Sequence, residues 1–599
     1  MWPKEGCTPV LGGKLLSLLV AFRVLNALLV RTSFTPDEFW QGPEPAHLLA
    51  FGKGHLTWEW EPSARIRGFT HPLVFAGVYK ALQMVGLDTR WAVAHSPKLL
   101  QGIMAGVCDY YAFGLALRAF GAASAGWALL YQVLSWFNFY CLVRPYSNSA
   151  EAVLATAALF YWAPFFLPSG RGGNSGGGTR DGTVKGGSDE GARLASQETL
   201  ALLLAALCVA VRPTSAALWA LVGILRLSTL PLRHWPRYLT LTVLPPVAAV
   251  VGASFCLDSW IYGTATLVPL NFLRFNVLEG KSRIFGEQAW HWNFSQGLPA
   301  VLGAALPAAL WGFWRPLGGG QGLSGCGGGG GGGDRRLGWL AMWFLVYHST
   351  SPHKEFRFLL PILPIAHAYA GQAISTFLAA KTSGKKGKAE TSDDFAAGLF
   401  LSHAPTAVYL SVWHQSGALS AVDVVADRVP ALALAKMGTG GESDLKREGT
   451  RAAVAVHFLM PCHSAPLYSH LHFRDLETSL WSLDCSPKNR ELPGGSESDK
   501  FQSDPLAFLE STYGTAGESK GDGGSFLLPD LAVIYSTHLD RPGVADYLDG
   551  LGLETVQIVF NAHVNGDADS DDTHRSVAIL ERAACQQGDG QGPPRSCSL

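Results

Sequence analysis

Hydrophobic positions in this chain fall in long, nearly unbroken runs up to about residue 413, and only in short runs after it. The first run, 11–30, is long enough to cross a bilayer, whose hydrocarbon core takes about 20 helical residues. It carries Arg23 and Asn26, and no small-residue cleavage site follows it, so it reads as a retained span and not as a removed signal peptide. Further apolar runs lie near 71–87, 98–118, 121–143, 149–168, 196–211, 214–228, 238–257, 298–314, 337–350, 357–380 and 395–413. Backbone groups in lipid must bond internally, so these runs predict a polytopic α-helical membrane protein of roughly 10–12 spans.

Beyond about 420 no spanning run remains. Short β-like runs at 452–460, 531–535 and 556–560 alternate with Gly-, Ser-, Asp- and Pro-rich stretches. They predict a soluble domain of mixed α and β structure, partly disordered near 490–525. The expected division is a transmembrane domain over 1–419, with a long first loop at 31–70, and a C-terminal soluble domain over 420–599.

Composition narrows the function classes. Charged residues make up 16% of the chain and the mean hydropathy is +0.16, whereas soluble proteins carry about 25% charge. The net charge of −1 leaves no global basic field, so no nucleic-acid partner is expected. The ten cysteines show neither CxxC pairs nor zinc spacing. Two low-complexity stretches, 169–191 with ten glycines and 318–333 with twelve, lack the Gly-Lys-Ser/Thr ending of a phosphate-binding loop and read as flexible inserts.

Basic loops stay cytosolic. Segment 226–237, the flanks of the second glycine insert (Arg315, Arg335, Arg336) and 381–388 fall on one side if the runs between them cross. Segments 258–297 and 351–356 and everything after 413 then face the other side, where Cys462 and Cys485 are free to pair, although sequence does not fix that pairing. The same parity requires an even number of crossings between 71 and 143, where three runs are counted. One of them is then re-entrant or interfacial.

Four polar segments carry candidate chemistry. The loop 31–70 opens with Asp37-Glu38 directly after Pro36, among Trp40, Trp58 and Trp60. A carboxylate at a membrane surface can serve as general base on a hydroxyl. Read alone, the pair serves as well as the first turn of a helix whose dipole it complements, and that is the default. His353-Lys354-Glu355-Phe356-Arg357-Phe358 gathers three basic groups at a span boundary. It suits either phosphate recognition or a snorkelling flank. The loop 268–299 mixes polar and aromatic residues, with His291 between Trp290 and Trp292, and suits sugar stacking or simple packing on the bundle. Segment 458–472, FLMPCHSAPLYSHLH, invites a metal or nucleophile reading, but its spacing matches neither kind of site.

At these residues the chain resembles the dolichyl-phosphate-mannose-dependent mannosyltransferases of the endoplasmic reticulum, glycosyltransferase family 22 with the GT-C fold. Thr35-Pro36-Asp37-Glu38 is similar to the family's first lumenal-loop motif, and His353–Phe358 to its HKE-x-RF motif. Arg144-Pro145-Tyr146-Ser147-Asn148-Ser149 with Glu151 resembles a third segment, in which Pro145 replaces the usual Thr. His414-Gln415-Ser416-Gly417 resembles a fourth, with Ser416 where the family has Arg. Segments 57–60, 290–299, 458–472 and 483–487 are similar to the class of that family that adds the third mannose of glycosylphosphatidylinositol (GPI) anchors. The resemblance runs from about 20 to 590, outside the glycine inserts and 490–525.

The resemblance implies an inverting α-1,2-mannosyltransferase, a multi-pass protein of the reticulum membrane with a lumenal active site. Its donor is dolichyl-phosphate-mannose and its acceptor a two-mannose GPI lipid. Asp37 matches the family's catalytic acidic residue and is expected to be the base, with Glu38 beside it. Lys354 and Arg357, assisted by His353, are expected to hold the leaving phosphate, with Arg144 and Arg274 as further candidates and His291 and Trp292 as substrate contacts. No cofactor or essential metal is expected with this donor. The competing readings are a sibling enzyme acting on the dolichol-linked N-glycan precursor and, from another class, a membrane transporter or scaffold. Transporters tend to show internal repeats and midplane charges; no repeat is present, and the polar clusters lie at span ends.

Overall fold

A computed structural model describes residues 12–162, 186–315, 335–381, 388–439, 454–474, 476–491, 493–514, 528–563 and 574–583. Residues 169–185 of the first glycine insert, the whole of the second and most of the basic segment 381–388 lie outside these residues. The helix Gly186–Val211 begins inside the first insert, so the last part of that stretch is helical and not loop. The chain forms two compact units, one of residues 1–29, 62–73 and 97–408, the other of residues 30–61, 74–96 and 409–599.

The first unit is helical. Among the described residues four helices are long and apolar enough to cross a membrane: Arg90–Phe120, Ala192–Val211, Leu232–Tyr262 and Phe356–Ala380, with a fifth if one bent pair is a single span. This is fewer than the 10–12 expected, because most of the other apolar runs form helices of 13–17 residues, such as Gly13–Leu29, Thr70–Met84, Ser147–Tyr161 and Arg335–Thr350, and two runs are interrupted. The run at 121–143 is broken at Ser135 into Ala122–Leu134 and Trp136–Cys141. At 1.5 Å per residue neither piece crosses a core of about 30 Å alone. The run at 298–314 bends by 116° between Asn293–Leu302 and Ala305–Trp314. Gly303 sits at the bend with φ +51, a value that favours glycine.

The interior of this unit explains the polar residues of the first run. Arg23, fully buried, donates from Nε to Asp109 Oδ2 at 2.6 Å and from Nη2 to Oδ1 at 3.1 Å. Gln132 Nε2 donates to the same carboxylate at 3.0 Å. A charge inside an apolar bundle persists only when paired in this way. Helix Gly13–Leu29 approaches Arg90–Phe120 closely enough that a Cβ on Gly106 would lie 2.6 Å from the Val20 Cα, the small-residue contact typical of membrane helices.

The second unit contains a five-stranded mixed sheet of order β2-β1-β3-β5-β4. Its strands are β1 (Val454–Leu459), β2 (Thr478–Ser482), β3 (Leu531–Tyr535), β4 (Leu553–Phe560) and β5 (Ser576–Arg582). β1 runs parallel to β2 and β3, and β5 runs antiparallel to β3 and β4. β1 and β3 are buried on both faces, which is why they read as continuous apolar runs. The half-exposed β2 gave no such signal.

One face is covered by helix Gly417–Thr439 through Ala418, Ala421, Val422, Val425, Ala426, Val429 and Ala433, spaced as one helical stripe. Phe39 and Trp40 of the first loop belong to the same core. The other face is covered by Phe501, Leu509, Val544 and Leu548. The helices Glu497–Ser503 and Pro505–Tyr513 therefore replace part of the disorder expected near 490–525, and 515–527 lies outside the described residues.

Candidate active site

In the second unit, Pro36 ends the extended entry to the first loop and starts the short helix Asp37–Trp40. The acidic pair is thus the first turn of a helix, as the default reading had it, and its two members differ in exposure. Glu38 is fully buried, and Asp37 is half-buried.

The next helix, Pro43–Phe51, ties the first loop to segment 458–472. Glu44 is buried and accepts at Oε1 from Leu467 N (2.8 Å), Ser469 N (3.0 Å) and Ser469 Oγ (2.7 Å). Burial raises its carboxyl above the ordinary value, and the Ser469 bonds oppose that. His47 bonds through Nε2 to His472 Nδ1 at 2.8 Å. His470 packs edge-on against Phe39 at 5.1 Å, and Cys462 forms a disulfide with Cys485. Two of the groups that raised metal or nucleophile readings of this segment, His470 and His472, thus hold the first loop, and Cys462 is taken up by the disulfide.

Segment 414–417 has the same kind of role. Gln415 accepts from Ser33 N and donates its own N–H to Asn561, while Gly417 lies so close to Asn561 that a Cβ would sit 2.6 Å away.

Burial pushes three histidines of this unit, His47, His457 and His463, down to about 4. Unfolded imidazoles titrate near 6.5. Between these values the unfolded state binds more protons, so the stability these groups contribute is intact above pH 6.5 and is lost as pH falls toward 4. Thermal melting of the full chain in detergent is expected to show a falling midpoint across that window. A midpoint flat from pH 7 to 4.5 would contradict it.

In the first unit, the segments 144–151 and 353–358 come together. Arg357, buried, forms a two-pronged ion pair with Glu355 (Nε–Oε2 and Nη2–Oε1, both 2.6 Å), and its guanidinium lies 5.1 Å from the Tyr146 ring centre. Burial works to raise the Glu355 carboxyl, but Arg357 and His353 outweigh it and hold it well below the ordinary range. His353 Nε2 lies 2.9 Å from Glu355 Oε1. Lys354 Nζ donates to the Gln288 carbonyl at 3.0 Å, fastening the loop 268–299 to this segment.

Trp292 of that loop is buried against Phe356 at 4.9 Å between ring centres, while Trp290 is exposed. His291 is exposed and bonds Ser295 Oγ at 2.9 Å. Arg274 is exposed and paired with Glu279 at 2.8 Å. Arg144 is fully buried, donates to the Tyr140 carbonyl at 2.8 Å and lies over the Tyr140 ring.

Arg212 was not anticipated. It reaches Glu151 Oε2 at 3.2 Å, donates to Asn148 Oδ1 at 3.2 Å and lies over Phe358 at 4.7 Å, so it joins two motif segments. In the sequence it stands between the end of an apolar run and Pro213, where a basic residue passes for a snorkelling flank.

The sequence profile of the Alg9-like mannosyltransferase family matches residues 14–472. The chain belongs to this family. The Alg9-like chain is 32% identical over 565 residues to "Mannosyltransferase APTG1" of Arabidopsis thaliana, covering 92% of this chain and 89% of that protein. It is 33% identical to "GPI alpha-1,2-mannosyltransferase 3" of Mus musculus, covering 82% and 78%. Among solved structures it is similar to ArnT from Cupriavidus metallidurans bound to undecaprenyl phosphate, with a TM-score of 0.54 at 12% identity over 95% of this chain and 98% of that one. The Alg9-like chain is therefore a glycosyltransferase and a multi-pass membrane protein of the GT-C fold.

Proposed function

We propose that this enzyme transfers mannose from dolichyl-phosphate-mannose to a two-mannose GPI lipid, adding the third mannose in α-1,2 linkage with inversion, on the lumenal face of the endoplasmic reticulum membrane. The observation that carries the reading is the similarity, at 31–33% identity over most of the chain, to proteins named GPI alpha-1,2-mannosyltransferase 3 in Mus musculus, Homo sapiens and Bos taurus. The Cys462–Cys485 disulfide supports a lumenal position for the second unit, because disulfides persist in oxidising compartments.

The chemistry assigns roles to side chains already described. The attacking acceptor hydroxyl loses a proton to Asp37, the half-buried member of the acidic pair that opens the first loop. Mannose leaves a lipid phosphate that needs counter-charge but no proton. Lys354 and Arg357 supply that charge, assisted by His353, with Arg144 and Arg274 as further cationic candidates. His291 and Trp292 are assigned to the substrate loop. The reading needs no metal, since the donor carries one lipid phosphate and no nucleotide diphosphate. The protein's partners are then two lipid-linked sugars and the membrane itself.

The test is rescue of cells that lack the third GPI mannosyltransferase, with lipid intermediates resolved after mannose labelling. Expression of this chain is expected to clear the two-mannose intermediate. If that intermediate persists while the protein is present in the reticulum, the acceptor assignment is wrong and the N-glycan precursor is the acceptor to test.

A further inference from the structure

Next to Asp37 the second unit holds a histidine whose geometry the packing of the first loop does not explain. His463 takes a left-handed backbone, φ +62, which a residue other than glycine or asparagine adopts rarely. It directly follows Cys462, whose disulfide to Cys485 fixes it, and the Cys462 N–H is itself tied to Ser498 Oγ at 3.2 Å. Its ring lies 4.6 Å from the Trp40 ring, tilted by 38°, and Trp40 meets His55 on another side at 5.7 Å. Trp40 closes the same four-residue helix that Asp37 opens. The His463 Nδ1 is buried and has no hydrogen-bond partner among the described residues. A buried nitrogen left unsatisfied is costly, and a left-handed backbone adds to that cost. Two local penalties at one residue, enforced by a disulfide, mark a position held for a purpose other than packing.

We propose that His463 is a positioning residue for mannosyl transfer: its Nδ1 donates to the Asp37 carboxylate when the acceptor is bound, and so aims that carboxylate at the hydroxyl it deprotonates. The inference rests on Asp37 being the base. The electrostatics agree with the geometry. Burial, and then His55, push the imidazole down to about 4 against the pull of Asp37 and Asp484, so the ring is neutral at neutral pH. A neutral donor orients a carboxylate while leaving it basic. An imidazolium at the same place would form an ion pair with Asp37 and weaken it as a base.

The test uses the full chain in detergent, assayed with dolichyl-phosphate-mannose and a GPI acceptor. His463→Gly and His463→Asn both accept the left-handed backbone, but only Asn restores an N–H near the Nδ1 position. His463→Gly is expected to lower kcat by about 10–100-fold, the usual effect of a misaimed reacting group, with KM for the donor and the melting midpoint unchanged. His463→Asn is expected to stay within about threefold of the native kcat. In an Asp37→Asn background, His463→Gly is expected to cost nothing further, because the two act as a unit.

Equal loss in the Gly and Asn variants, loss in KM alone, or an unaltered kcat for His463→Gly would overturn the proposal. If Asp37→Asn is fully active, the base assignment fails and the inference falls with it. If Asp37→Asn is inactive and His463→Gly is not, the base stands and only the positioning role is lost.

Discussion

Asp37→Asn is expected to lower kcat by about 10²–10⁴-fold, the contribution typical of a positioned general base, with little change in KM or melting midpoint. The amide keeps the size of the side chain and cannot take the acceptor proton. At 1.36 kcal/mol per tenfold, a thousandfold loss corresponds to about 4 kcal/mol of transition-state stabilisation. Such a loss without unfolding is reasonable here because Asp37 is half-buried and lies at the start of a short helix, outside the sheet core.

The neighbouring carboxylate gives the contrast. Glu38 is fully buried, so Glu38→Gln is expected to alter stability before it alters chemistry. The measurement is single-turnover transfer from labelled donor to acceptor lipid by purified variants. An Asp37→Asn enzyme turning over within threefold of the native rate would remove Asp37 from the base role.

The sequence made the helical bundle and the candidate motifs legible, but not how the motifs are used. Apolar runs announce helices because lipid leaves the backbone no other choice. They do not announce breaks, so Ser135 and the bend at Gly303 passed unnoticed inside runs that looked continuous. β1 and β3 were visible as apolar runs buried on both faces, and 556–560 marked the end of β4, whereas β2 is only half-buried and the buried run of β5, Val577–Leu580, is just four residues long and passed unnoticed. Segment 458–472 stood out for its histidines and cysteine, yet what it does depends on Glu44 and His47, more than 400 residues earlier, at separations of 423 and 425. Arg212 stayed hidden for the same reason: its partners Asn148 and Glu151 are about 60 positions away in sequence, and nothing in its own neighbourhood distinguishes it from a membrane-flanking Arg. Local pattern reports what a segment is made of, and long-range pairing decides what it does.

Arg357 offers the second large effect and a way to separate charge from scaffolding. Removing it alone, as Arg357→Met, leaves the largely buried Glu355 carboxylate without its two-pronged partner, and breaking a buried pair in this way costs up to about 3–5 kcal/mol. The variant is therefore expected to lose both stability and activity, which by itself decides nothing. The double variant Glu355→Gln/Arg357→Met removes both charges, and apolar or neutral replacement of a whole buried pair is often close to neutral for folding. Its melting midpoint is expected to return most of the way to the native value.

If Arg357 also stabilises the departing lipid phosphate, activity will not return with stability. Transfer in the double variant is expected to stay about 10²–10³-fold below native, as when a preorganised donor to developing charge is lost. Arg357→Lys separates the two further: it keeps the charge but loses the fork that grips Glu355 from Nε and Nη2. A lysine enzyme with intermediate kcat would place the demand on charge. A double variant that regains activity together with its melting midpoint would make Arg357 a purely structural partner of Glu355 and Tyr146, and would leave the phosphate to Lys354.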